Sequence, residues 1–398
     1  MFFRKISAET GIFLIAASIG KIIRCCFFLF LCYNPGRGSY LNFSSRLPCG
    51  VMLRSLLIDN FTVFSSSDVQ FVEGINVIIG ENGLGKSHLL KLAYCAANIS
   101  HTARSNGTAK QDYQRRIAQK LGGIFRPDYL GRLTRRKAVR SRCEVAVQFI
   151  DEANNFSFSF ASNSREEVTL DKVMSGGVNA PAIFFPTMEI ISIYPGFAAL
   201  YRDNYLSFDE TYYDLCLALE RPLKKGKQYD DVNSFLEPIE TILGGKVRCE
   251  SGRFLLALPG KGNMEISLVA EGHRKFATIA YLLANGSILQ NGMLFWDEPE
   301  TNLNPALMRD LAQTLIHLTQ LGIQVFLTSH SLFFIKELDL QLQQQASKIP
   351  SKWFAFGGHQ EGITISEGDS LEEVEPILAL DVEMEQSDRY YQFVSKKG

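Results

Sequence analysis

The stretch "VIIGENGLGKSHLL", Val77–Leu90, runs from an apolar segment through a glycine loop into a helix-forming segment. In it Gly80, Gly85, Lys86 and Ser87 fit the spacing G-x-x-x-x-G-K-[ST], with Asn82 and Gly83 inside the loop. Glycine allows successive backbone N–H groups to point into one concavity, and the following helix adds the positive end of its dipole. A phosphate chain is what such a loop holds, with Lys86 expected to reach the terminal phosphates and Ser87 to hold Mg2+. The apolar run "INVIIG" before the loop and "KSHLLKLAYCAAN" after it supply the strand–loop–helix context that an ordinary glycine-rich turn lacks.

The rest of the chain is long enough to build a machine around that grip. It has 398 residues, 46% of them hydrophobic and 21% charged, which is the composition of a globular protein. The net charge of -1 gives no whole-protein field, so a nucleic-acid or membrane partner has to be argued from a local patch. Of eight cysteines, Cys25, Cys26, Cys32 and Cys49 fall in the first fifty residues, and Cys95, Cys143, Cys216 and Cys249 stand alone without C-x-x-C spacing. These four isolated residues are read as reduced core thiols.

Residues 1–51 stand apart. "GIFLIAASIG" is interrupted by Lys21 and Arg24 before "CCFFLFLCY", so no uncharged run reaches membrane-spanning length. A short secretory leader fits the basic start and apolar run. An opening of the domain at Met52, directly on the strand "LRSLLI", is the favoured expectation, with a cytoplasmic location because ATP is there.

From Met52 the pattern gives strands at Leu53–Ile58 and Val69–Val72, then the phosphate-loop unit. "EVAVQFI" and "FSFSFAS" read as a hairpin, "APAIFFPTMEI" as a short strand broken at Pro186, and residues 206–243 as helical. One hairpin is expected over Lys246–Leu268 with its turn at "PGKGN". The helix "EGHRKFATIAYLL" follows, then two buried strands, "GMLFWDE" and "IQVFLTSH", around the helix "PALMRDLAQTLIHLTQL". A further helix, a strand pair near "WFAFGG" and "GITIS", and an acidic tail segment complete the chain.

Three more constellations carry chemistry. In "MLFWDEPETNLNP" an apolar strand ends in Asp297 and Glu298, which suits one carboxylate for the metal and the other to orient or deprotonate attacking water. In "FLTSHS" a second buried strand ends at Ser329 and His330, where a histidine can contact the terminal phosphate or that water. In "LVAEGHRK" the residues Ala270, Glu271 and Gly272 open a helix whose first amides can bind an anion.

Taken in order, "NF…F", "GENGLGKS", "AEGHRK", "DEPETNLNP" and "TSH" resemble the ABC-type ATPase heads of the RecF, SMC and OLD-nuclease group, often labelled bacterial AAA family ATPases. The likeness runs from Met52 to about Leu338. It implies an α/β P-loop NTPase fold of ABC/RecF type: a mixed central sheet with helices on both faces, an antiparallel β lobe and a helical insert. On this reading residues 52–338 form the ATPase domain, with inserted basic and helical segments at about 100–245, and 339–398 a C-terminal strand pair and acidic tail. The 211 residues between Lys86 and Asp297 match that group, and no N-K-x-D guanine motif is present, so ATP is the expected nucleotide.

The resemblance also implies a homodimer or larger assembly in which two heads sandwich two ATP molecules. Carried over by position, Gly272 supplies the signature amide in trans, Glu298 is the catalytic carboxylate and His330 the switch contact. Asn302, with Glu300, lies in the loop crossing the seam. The signature serine is replaced by Ala270, with Arg274 or Lys275 as electrostatic substitutes. No glutamine is found for the position that assists the metal; Glu189, after "FFPTM", is the candidate.

The output is less defined. Between Arg104 and Arg142 lie 12 cations against two carboxylates, Asp112 and Asp128. Such a patch suits duplex DNA, through Arg115, Arg116, Arg132, Arg135, Arg136, Lys137 and Arg140, or else an acidic protein partner. The 68 residues after His330 are expected to be too few for the Toprim nuclease of OLD proteins, placing any nuclease or effector on another chain. Two roles stay open: a Mg2+-dependent ATPase working on DNA or with an effector in repair or phage defence, and an ATP-loaded scaffold or sensor with little hydrolysis.

Overall fold

The computed structural model describes residues 30–33, 40–43, 52–103, 110–136, 140–177, 181–224, 227–288, 291–345, 349–358 and 362–395. The chain divides into two units, 1–49 and 50–398. In the first, Phe30–Tyr33 pairs antiparallel with Tyr40–Phe43; the apolar run at 11–20 and Lys137 of the basic segment lie outside the described residues. No helix among the described residues is long and apolar enough to cross a membrane.

The second unit is built on a six-stranded sheet. Across it run Thr364–Gly368, Ser351–Gly357, Ile75–Gly80, Gln324–Ser329, Met293–Asp297 and Ala182–Phe185. The first is antiparallel to its neighbour and the other five are parallel. Parallel strands covered on both faces have no polar side, which is why "VIIG", "LFWD" and "VFLTS" read as unbroken apolar runs. Ile75, Val77 and Ile79 face helices Glu271–Ala284, Pro305–Gln320 and Leu332–Gln343. On the other face Ile78, Phe295 and Phe326 pack with helix Lys86–Ala103 and a five-stranded antiparallel sheet, Leu53–Phe61, Phe64–Gln70, Arg142–Phe149, Phe156–Ala161 and Thr169–Lys172.

Buried Gln324 ties the two sheets. Its Oε1 accepts from Leu53 N at 2.9 Å, and its Nε2 donates to the carbonyls of Leu53 and Val72, both at 2.8 Å. Every polar atom of that side chain is paired, so its burial carries no desolvation debt.

The structure departs from the sequence expectations in three places. Lys246–Leu268 is a three-stranded meander, Lys246–Glu250, Arg253–Leu258 and Gly262–Glu265, because Ser251 (φ 49°) and Gly252 (φ 73°) make an additional tight turn. The second strand of the opening hairpin is Phe64–Gln70, not Val69–Val72, since Thr62 takes a positive φ of 44° and reverses the chain early. The acidic tail segment is a helix, Leu378–Ser395, with no buried residue. Cys95, Cys143 and Cys216 are buried free thiols and Cys249 is half-buried.

Candidate active site

Sheet order brings the chemistry together. The strands ending at Gly80, Ser329 and Asp297 are adjacent and parallel, with Ser329 level with Ile79 and Asp297 level with Thr328. Ligands of open parallel sheets bind beyond these carboxyl ends.

The loop between strand and helix is shaped by its glycines. Gly80, Gly83 and Gly85 have φ of 145°, 84° and 90°, a region that other residues enter at a cost. A Cβ on Gly80 would stand 2.8 Å from the Phe356 carbonyl oxygen, and one on Gly85 would stand 2.5 Å from Val63 Cγ2. Gly80→Ala is therefore expected to lower stability by about 1–3 kcal/mol, read as a drop in melting temperature of the whole chain.

Lys86, 5% exposed, turns its ammonium onto the loop's own carbonyls, Gly80 O at 2.7 Å and Glu81 O at 2.8 Å. Burial pushes its pKa down, and the carboxylates of Glu298, Asp297 and Glu300 act against that shift. A buried cation ringed by loop carbonyls, beside glycines free of side chains, fits a phosphate chain.

Ser87 and Asp297 meet directly, Ser87 Oγ donating to Asp297 Oδ1 at 2.9 Å. The hydroxyl and carboxylate are hard oxygen donors of the kind Mg2+ takes together with phosphate oxygens and water. Among the described residues no cluster of three histidine, cysteine or acidic side chains could hold a metal unaided. The donor set thus fits a metal that arrives with a nucleotide.

Thr328, which the sequence reading passed over, organises the carboxylates. Its Oγ1 donates to Asp297 Oδ1 at 2.6 Å and accepts from the backbone N–H of Glu298 at 3.0 Å. Glu298 itself has a φ of 50°, so the strand ends in a turn that swings this side chain away from Asp297. Its Oε1 lies 3.1 Å from His330 Nδ1, whose ring is half-exposed. Thr328 opens the quoted element "TSH", but its bonds to Asp297 and Glu298 span 31 and 30 residues, so the stretch itself does not reveal its part.

A second set of residues surrounds the loop after Glu298. Asn302, φ 62°, donates from Nδ2 to Glu271 Oε1 at 2.8 Å, fastening the loop to the start of helix Glu271–Ala284. Gly272 is buried there, and a Cβ on it would stand 2.8 Å from Leu303 Cδ2, so its missing side chain serves close packing as well as any anion. Ala270 precedes the helix with no side-chain cap.

The two cations expected to stand in for the signature hydroxyl do not face outward. Lys275, 3% exposed, donates to Pro299 O at 3.0 Å and Thr301 O at 2.7 Å. Burial pushes its pKa down to about 8, with the Glu300 carboxylate the largest charge acting the other way. Arg274 pairs with Glu189 at 3.1 Å, and Glu189 also accepts from Ser192 N and Oγ, both at 2.8 Å.

The basic segment is thinner than its sequence. Lys120 is buried in ion pairs with Glu210 at 2.9 Å and Asp214 at 2.5 Å, which removes it from any surface patch. Arg126 donates to Phe208 O at 3.0 Å, and Arg142 bonds Ser159. Arg115, Arg132, Arg136 and Arg140 are exposed; Arg116 and Arg135 are half-buried.

Comparison with known proteins agrees with this architecture. The family described as "AAA domain, putative AbiEii toxin, Type IV TA system" matches residues 75–336, a span holding the phosphate loop, Asp297, Glu298 and His330. No curated protein matches the chain in sequence. A crystal structure of the SmcHead bound to the C-winged helix domain of ScpA is 13% identical, covers 80% of this chain and 98% of its own, and has a TM-score of 0.50. An SMC head domain from Thermotoga maritima is 13% identical over 81% of this chain and 99% of its own, with a TM-score of 0.42. An Smc head with an extended coiled coil, bound to the C-terminal domain of ScpA derived from Pyrococcus furiosus, is 11% identical over 84% and 99%, with a TM-score of 0.46. With more than half of its length matched, the chain belongs to this AAA-domain family and is a P-loop ATPase domain with the ABC-type head fold.

Proposed function

We propose that the chain binds ATP with Mg2+ and hydrolyses it, two copies facing each other across two nucleotides. The observation that carries this reading is the contact of His330 Nδ1 with Glu298 Oε1 at 3.1 Å, beside the Ser87–Asp297 pair. A module that only held nucleotide would have no use for a carboxylate and an imidazole aimed at one another past the metal ligands.

On this reading the loop amides from Asn82 to Ser87 and the Lys86 ammonium hold the β- and γ-phosphates. Ser87 and Asp297 would hold Mg2+, which neutralises charge on the phosphate oxygens. Glu298 orients the attacking water and accepts its proton, and His330 contacts the γ-phosphate and steadies Glu298. Gly272 of the partner subunit offers a helix-start amide across the seam, and Asn302 lies in the loop that crosses it. Ala270 brings no hydroxyl there, which favours slow closure and keeps the scaffold or sensor role as the second reading.

The cycle would serve duplex DNA or a separate effector, in DNA repair or phage defence. Exposed Arg115, Arg132, Arg136 and Arg140 support the DNA arm. A protein partner has a precedent in this fold, the Smc head that binds the winged-helix domain of ScpA. Reversing Arg132, Arg136 and Arg140 to Glu is expected to weaken duplex binding at low salt by about 100-fold or more while leaving ATP affinity unchanged. Unaltered DNA affinity in a filter or anisotropy titration would exclude that surface.

A further inference from the structure

Among the described residues near the phosphate loop Glu300 is the most deeply buried carboxylate, 3% exposed, and the proposed reading gives it no part in holding phosphate or metal. Its Oε1 collects three donors: Ser329 Oγ at 2.6 Å and the backbone N–H groups of His330 and Ser331 at 3.3 and 3.4 Å. Among the described residues its Oε2 has no hydrogen-bond partner. Burial pushes its pKa up, against the pull of the Ser329 and His330 contacts. A half-satisfied buried carboxylate costs stability, so the fold alone gives no reason for an acid here.

The partners of Glu300 supply the reason. They are the residue before His330, His330 itself and the residue after it, all gathered on one oxygen. From the other side, Lys275 grips the carbonyls of Pro299 and Thr301, which flank Glu300. The segment 298–302 is thereby held between the end of one strand and the signature helix, with Glu298 at its start facing the His330 ring.

We propose that Glu300 is a positioning residue that fixes the backbone of Ser329–Ser331 and so holds the His330 ring against Glu298, with Lys275 bracing the loop from behind. The proposal rests on the assignment of Glu298 and His330 to hydrolysis made above. It assigns to a buried acid control over the geometry of the His330–Glu298 pair.

The test uses the full chain labelled with 15N at histidine, comparing Glu300→Ala, Glu300→Gln and Glu298→Gln. The readouts are the His330 ring signals and steady-state phosphate release. The glutamine keeps an oxygen acceptor for the three donors, so its ring signals should stay in place and its kcat should fall less than about threefold. The alanine should displace the ring signals and lower kcat about 100-fold, with KM for ATP changed less than about twofold, as expected for misplacement of a reacting group. If the alanine variant does not fold, Glu300→Asp, which keeps the charge and withdraws the oxygen, is expected to displace the same signals.

Ring signals unmoved in Glu300→Ala would overturn the proposal. So would a kcat within about twofold of wild type in that variant while Glu298→Gln abolishes turnover, an outcome that leaves Glu298 as assigned. If Glu298→Gln changes nothing, the hydrolysis reading fails instead, and the ring signals still decide whether Glu300 places His330.

Discussion

Glu298→Gln is expected to keep ATP bound while turnover falls by about 100- to 10,000-fold, the range a positioned general base contributes. The amide matches the carboxylate in size and can still hydrogen-bond His330, which stands 3.1 Å away. It cannot take a proton from water. The backbone of this residue is fixed by Thr328 Oγ1 at 3.0 Å, so the substitution should leave the strand end and Asp297 undisturbed. Nucleotide affinity, which the proposed function assigns to Lys86, Ser87 and the loop amides, should change little. With binding intact and cleavage blocked, the ATP-bound dimer should accumulate and be visible by light scattering. Turnover within about threefold of wild type would remove Glu298 from the catalytic role.

Lys86→Ala should have the opposite signature, loss at the binding step. The ammonium is 5% exposed, is surrounded by the charges of Glu298, Asp297 and Glu300, and rests on the carbonyls of Gly80 and Glu81. Bonds from an ammonium to phosphate oxygens are worth about 1.5–3 kcal/mol each, so losing two weakens ATP binding by about 100-fold or more. The bonds removed go to the carbonyls of Gly80 and of exposed Glu81, both part of the loop itself. The melting temperature without nucleotide should therefore stay near wild type, while the rise produced by ATP and Mg2+ should vanish. An undiminished thermal shift would place the nucleotide elsewhere.

The features legible in the sequence were those encoded by contiguous residues. A strand, a glycine loop and a helix lie within Ile75–Ala103, and each carboxylate-bearing or histidine-bearing strand end sits at the close of its own apolar run. Their convergence follows from parallel pairing, which puts such ends side by side. What the sequence hid depends on partners far away along the chain. Lys120 looked like one more surface cation because its acids, Glu210 and Asp214, lie 90 and 94 residues on. Lys275 looked available to a phosphate because the carbonyls that capture it belong to a loop 24 to 26 residues later. Thr328 and Glu300 lie inside the quoted elements "TSH" and "DEPETNLNP", yet nothing in those stretches says what either side chain bridges. Their parts appear only once the strand ends are adjacent and their side chains have neighbours to bridge.

The most direct test of the central claim is phosphate release by the full chain in ATP and Mg2+, measured over a range of protein concentrations beside Glu298→Gln. The expected result is Mg2+-dependent turnover whose rate per chain climbs with protein concentration, as two heads close on two nucleotides, and which the substitution removes. Tight ATP binding with no turnover at any concentration, or equal release by Glu298→Gln, would contradict it.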